Sequence, residues 1–121
     1  LIHVYVDGSG KGKISFYIRN TEETIVRDVR VKSHNEAEYL AILEALKYIE
    51  ENIPGIDGIA VYSDSQVVVK QLRREYNVAA ENLRELAMKI WDIVSEFKKS
   101  MKFIEFHWVP RNLNPAGKVL G

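Results

Sequence analysis

Apolar and polar positions alternate in short runs at the start of the chain. "LIHVYVD" is rich in β-branched and aromatic residues and halts at "DGSGKG", a glycine-dense turn, so it reads as a strand. "KISFYIRN" and "TIVRDVRV" repeat the alternation on either side of "TEE", and connections this short predict an antiparallel meander. The period then changes. Across "HNEAEYLAILEALKYIEEN" apolar residues recur every three or four positions, which predicts a helix starting near His34 or Asn35 and stopped by "IPG". "GIAVYSD" is nearly all apolar and suits a strand covered on both faces. "SQVVVKQLRRE" predicts a short helix. "AAENLRELAMKIWDIVSEFKK" predicts a longer one, with Leu83, Leu86, Ala87, Ile90, Val94 and Phe97 on its apolar face. "KFIEFHWV" is a last strand, and "PRNLNPAGKVLG" a tail able to begin another helix.

The resulting order, βββ-α-β-α-α-β, predicts an α/β fold with one five-stranded mixed sheet and helices on both faces. Strands 1–3 are antiparallel, and a right-handed crossover sets strand 4 parallel to strand 1. No linker, repeat or low-complexity stretch interrupts it, so residues 1–121 are expected to form a single domain. Asp7 and Asp64 then fall at the carboxyl ends of two parallel strands, where open α/β sheets build their sites.

Glu38 breaks the helical pattern. At 100° per residue it points with Ile42, Ala45 and Ile49, while Glu36, Glu44, Lys47, Glu50 and Glu51 fall on the wet side. A charged carboxylate on an apolar stripe is costly unless something positive or hydrogen-bonding meets it. Asp7 alone reads equally as an Asp-Gly turn residue, and Asp64 alone as a helix cap. Together the three would converge and repel one another. Divalent cations resolve that conflict, because carboxylate oxygens suit magnesium, and a pair of such ions about 4 Å apart can cleave a phosphodiester.

Composition narrows the chemistry. Seventeen basic and seventeen acidic residues cancel, so a polyanion would have to be held by a local patch. Without cysteine, any metal must be bound by oxygen or imidazole, and a reducing, cytoplasmic location is expected. No apolar run is long enough to span a bilayer and no signal-peptide pattern opens the chain. Trp91 and Trp108 sit in apolar periodic segments and are expected to pack in the core.

The ordered motifs resemble the type 1 ribonuclease H family, its short archaeal and bacterial forms in particular. "VYVDGSG" matches the first-strand Asp-Gly motif, "SHNEAEYLAILEAL" the Asn-x-x-Glu helix, and "VYSDSQVVVKQL" the Asp-Ser-Gln motif. "REYNV" matches an interhelical loop, and "HWVPRNLN" the strand and loop near the end. The resemblance implies a ribonuclease H-like fold and endonucleolytic cleavage of the RNA strand of RNA–DNA hybrids with two magnesium or manganese ions. Asp7 would bridge the ions, and Glu38 and Asp64 would hold the one on the leaving-group side. Asn35 and Gln66 match positions that touch the hybrid minor groove, and Gly8 and Ser9 positions near the scissile phosphate. Lys11, Lys13, Lys70, Arg73, Arg74 and Arg111 would supply phosphate contacts. No membrane or small organic cofactor is implied, and the expected state is a monomer or weak homodimer.

The departures are as specific as the matches. The family carries a fourth carboxylate near its C-terminus, where this chain reads "NPAGKVLG" and places Gly117 or Lys118. Neither binds a cation, so the ion that activates water loses a ligand and weakened activity is expected. His107 or Glu105 would be the substitutes at hand, and Lys118 could instead neutralise the cluster. The lysine-rich insertion of longer relatives is missing as well. The alternative to an enzyme is a non-catalytic ribonuclease H-like domain that binds nucleic acid or a protein.

Overall fold

The first strand does not stop at Asp7. In the computed structural model, which describes residues 1–120, β1 runs Ile2–Ser9 and pairs antiparallel with β2 (Lys13–Ile18) as far as Ser9↔Lys13. Asp7 and Gly8 therefore lie inside a ladder, opposite Ser15 and Ile14, and the reading of Asp7 as a turn residue falls. β3 (Glu23–Asp28) continues the meander. α1 (His34–Asn52) crosses to β4 (Gly58–Ser63), which lies parallel to β1 from Ile2↔Ile59 to Tyr5↔Tyr62. α2 (Gln66–Leu72) and α3 (Glu81–Lys99) lead to β5 (Phe103–Trp108), parallel to β4. A 3-10 turn at Arg111–Leu113 and α4 (Pro115–Leu120) follow; Gly121, the end of the predicted tail, lies outside the described residues.

The sheet order is β3-β2-β1-β4-β5, the expected five-stranded mixed sheet. Alternation along β1 sends Val4 and Val6 into the core and His3, Tyr5 and Asp7 to the opposite face. α1 and α3 pack on each other against the core face, where Phe16, Ile42, Leu46, Ile59 and Ile90 are fully buried. α4 covers only the β1–β2 end of the other face. Beyond it Tyr5, Tyr62 and His107 stack across three strands, with centroids 4.7 and 5.5 Å apart. No described helix is long and apolar enough to cross a membrane.

Two details differ from the expectations. Ser33 and Ser65 cap the helices, so the reading of Asp64 as a cap falls: the serine hydroxyls accept from Glu36 N at 3.1 Å and Val68 N at 3.3 Å. Asp64 is thereby left free of capping duty. Trp91 is partly buried against the core as expected, but Trp108 is 44% exposed, because it ends an edge strand on its solvent side.

Candidate active site

Asp7 on β1, Glu38 on α1 and Asp64 just after β4 each offer a carboxylate oxygen within 4.8 Å of the others. Gly8 makes the meeting possible. A Cβ there would lie 2.4 Å from the Ala37 carbonyl carbon and 2.6 Å from Glu38 N, so only glycine lets strand and helix approach this closely. Glu38 then reaches past β1, accepting from Gly8 N at 3.1 Å and from Ser63 Oγ at 3.1 Å, and is completely buried. The helical stripe carries a carboxylate because its oxygens meet donors and a second acid, not hydrocarbon.

Burial, and after it the neighbouring Asp7 carboxyl, push the Glu38 pKa up to about 9; the Gly8 N–H works against them. The sign of the stability linkage follows. Folding favours protonated Glu38, so its contribution is whole below the free value of 4.5 and fades as pH rises through about 9. Metal-free protein should therefore lose thermal stability across that interval, and Glu38→Gln should flatten the profile while stability at alkaline pH stays equal or improves. Melting curves in chelator from pH 5 to 9 check this; a profile unchanged by the substitution rejects it.

Asp7 is 3% exposed, and its Oδ1 is buried with no hydrogen-bond partner. A carboxylate oxygen in that state calls for a cation or a proton. With two further carboxylates beside it, an all-oxygen donor set fits a hard divalent ion such as magnesium.

Asn114 completes the architecture, and sequence reasoning did not single it out. Fully buried, its Nδ2 donates to Val6 O at 2.9 Å and to Asp64 Oδ2 at 3.0 Å, while its Oδ1 accepts from Ala116 N at 3.1 Å. One amide thus fixes β1, the Asp64 carboxylate and the start of α4. Ser15 Oγ donates to Ala116 O at 2.6 Å and holds α4 from the other side. Asn114→Ala should cost about 3 kcal/mol in urea unfolding, since it strands buried polar groups; a loss below about 1 kcal/mol contradicts this reading.

Of the two candidate positions Gly117 faces the cluster: a Cβ there would lie 3.3 Å from Asp7 Oδ2 and 3.8 Å from Asp64 Oδ2. Lys118 is exposed and has no ion-pair partner among the described residues, so it does not neutralise the acids. Nor do Glu105 and His107 join the three carboxylates. They lie on β5 within 3.8 Å of each other, outside the cluster.

The other predicted residues divide among neighbouring hollows. Asp7, Gly8, Ser9, Lys11, His34 and Arg111 line one open cleft of about 260 Å³. His34, also unforeseen, brings Nε2 to 3.8 Å from Glu38 Oε1; its i,i+4 spacing from Glu38 was the available signal. Gln66, Lys70 and Arg73 surround Trp108 in a hollow of about 160 Å³, and Trp108 Nε1 donates to Asp64 O at 3.1 Å. Arg74 lies apart, its guanidinium 4.0 Å from the centre of the Trp91 ring. Asn35 borders a separate hollow with Lys32 and Asn82. Lys13 is taken up by Asp28 at 2.8 Å.

The sequence model of the family described as reverse transcriptase-like matches residues 4–120. The chain belongs to the reverse transcriptase-like family. Among solved structures, this reverse transcriptase-like chain is similar to ribonuclease H1 of the halophilic archaeon Halobacterium salinarum NRC-1. Identity is 23%, the TM-score 0.82, and the match covers 98% of this chain and 92% of that one. It is also similar to LC11 ribonuclease H1, isolated from compost by a metagenomic approach, at 26% identity and a TM-score of 0.80, over 98% and 91% of the two chains. A structure of LC11 ribonuclease H1 in complex with an RNA/DNA hybrid matches at 23% identity and a TM-score of 0.81, over 100% of both chains. The resemblance to type 1 ribonuclease H and the ribonuclease H-like fold are both borne out.

Proposed function

We propose that the chain is a divalent-metal-dependent endonuclease that hydrolyses the RNA strand of RNA–DNA hybrids. The observation that carries this reading is the orphaned Asp7 Oδ1 beside two more carboxylates, on the strand and helix ends where the fold concentrates its chemistry. Magnesium or manganese held by Asp7, Glu38 and Asp64 would supply Lewis-acid activation of the phosphate and of a water. The chain's own residues do the rest. Gly8 N and Ser63 Oγ keep the Glu38 carboxylate aimed at Asp7, and Asn114 does the same for Asp64.

The hybrid as substrate is supported by the family and by the solved complex of LC11 ribonuclease H1. Ser9, Lys11 and Arg111 share the cleft of Asp7 and are assigned to the RNA backbone beside the scissile bond. Gln66, Lys70 and Arg73, around Trp108, are assigned to the strand that continues past Asp64. Asn35 and Arg74 are assigned to more distant contacts, in the minor groove and on phosphate. Short polar groups suit this target, since a shallow minor groove displays 2′-hydroxyls without demanding base readout.

Cleavage of an end-labelled hybrid with magnesium and with manganese, beside duplex RNA and duplex DNA, tests the proposal. The hybrid alone should be cut, and only on its RNA strand. A protein that shifts the hybrid in a gel yet cuts nothing under any of these conditions is a binding domain, and the proposal fails.

A further inference from the structure

β5 ends the sheet, and its outer side has no strand to pair with. Phe103 N donates to Asp57 O at 3.3 Å and Val109 N to Ser63 O at 3.0 Å, so the odd-numbered residues of β5 spend their N–H and C=O groups on β4. Ile104 and Phe106 therefore turn theirs outward. Such an edge pairs with foreign strands unless lysine, proline or a covering element blunts it. "FIEFHW" holds neither lysine nor proline. α2 and α3 stand back from it and leave a groove of about 380 Å³. Four consecutive residues, Ile104 to His107, line that groove. Neighbours in a strand face opposite sides of the sheet, so they share one hollow only along the edge.

The groove has an apolar floor, from Leu72, Trp91 and Val94, and a basic rim. Arg73, Arg74 and Lys98 stand around it against a single acid, Glu105. Glu75 takes up Arg73 at 3.3 Å and His107 lies 3.8 Å from Glu105. Arg74 and Lys98 have no acidic partner among the described residues. Arg74 also holds a left-handed backbone, with φ of 63°, a conformation that glycine adopts freely at a helix end and arginine does not. That conformation lays its guanidinium 4.0 Å from the centre of the Trp91 ring, on the wall of the groove.

We propose that the free edge of β5 docks an extended acidic segment of a partner protein, which adds as a sixth strand beside Ile104 and Phe106 and presents carboxylates to Arg74 and Lys98. A second copy of the chain fits less well. Pairing edge to edge would bring two sets of Arg73, Arg74 and Lys98 together, and like charges across an interface repel. A nucleic-acid backbone offers phosphates to the cations but gives nothing to the outward carbonyls of Ile104 and Phe106. The proposal goes beyond the nuclease reading and stands without it. Arg73 and Arg74 are shared with the phosphate contacts assigned above, which makes the hybrid the competing occupant to test.

Fluorescence anisotropy in chelator tests this with a labelled peptide of alternating glutamate and valine, long enough to span β5, beside its lysine–valine counterpart. The acidic peptide should bind at least about tenfold more tightly than the basic one, and Lys98→Glu should erase about that much of the difference. Amide hydrogen exchange places the peptide. It should slow the Ile104 and Phe106 N–H groups and leave those of Glu105 and His107, already bonded to β4, unchanged. Binding indifferent to charge overturns the proposal, as does slowed exchange elsewhere or no binding at millimolar peptide. Slowing of the same two amides by a hybrid oligonucleotide and not by the peptide gives the edge to nucleic acid. Slowing with rising protein concentration alone, accompanied by a dimer in sedimentation, gives it to a second copy. Either result also overturns the proposal.

Discussion

Replacing Asp7 by Asn should lower hybrid cleavage by about a thousandfold or more, with no loss of fold stability. Three decades of rate correspond to about 4 kcal/mol, the scale on which a bound metal stabilises charge in a transition state. Asp7 is the member of the cluster with least else to do: its Oδ1 meets no protein donor. The amide that replaces it keeps the shape, loses the charge, and brings an N–H able to donate to the Glu38 carboxylate nearby. One of three mutually repelling acids is removed. Single-turnover cleavage and manganese calorimetry should both collapse, while the melting temperature in chelator holds or rises. A variant that still cuts within tenfold of the wild type would remove Asp7 from the proposed site.

Gly8→Ala should be the most damaging small substitution in the chain, costing about 4 kcal/mol or more. The added methyl would lie 2.4 Å from Ala37 C, 2.6 Å from Ala37 O and 2.6 Å from Glu38 N, all backbone atoms of α1 that no rotamer change can move. Relief requires parting β1 from α1 across the middle of the core, which is overpacking in its severe form. The same displacement lengthens the 3.1 Å bond from Gly8 N to Glu38 and draws that carboxylate away from Asp7. Urea unfolding gives the stability change. A loss under 1 kcal/mol would mean that strand and helix do not lie this close.

Periodicity was enough to place the scaffold and one half of the site. Glu38 stood out because its angular position contradicted its charge, and that contradiction is resolved by contacts made through Gly8. Asp64 was legible from its place after an apolar strand. Asp7 was legible in position but not in conformation, because "DGSG" has the composition of a turn while antiparallel pairing with β2 carries the strand on to Ser9. Trp108 misled because a strand's alternation does not say which strand will be an edge. Asn114 could not be read at all: its partners lie 108 and 50 residues earlier in the chain, beyond any local pattern. Gly117 and Lys118 were equivalent by spacing, and only the direction of a Cβ separates them.

The long reach of Asn114 has a consequence for how the candidate site forms. The pocket draws on the first strand, the first long helix, the fourth strand and the final segment, so it forms only after the two ends of the chain have come together. Contacts of such sequence separation are slow to close, and the proposed cation site is complete only once α4 has docked on β1. By mass action, an ion bound as proposed would deepen the native basin as a whole with every increment of its free concentration above the dissociation constant, the far edge at β3 included.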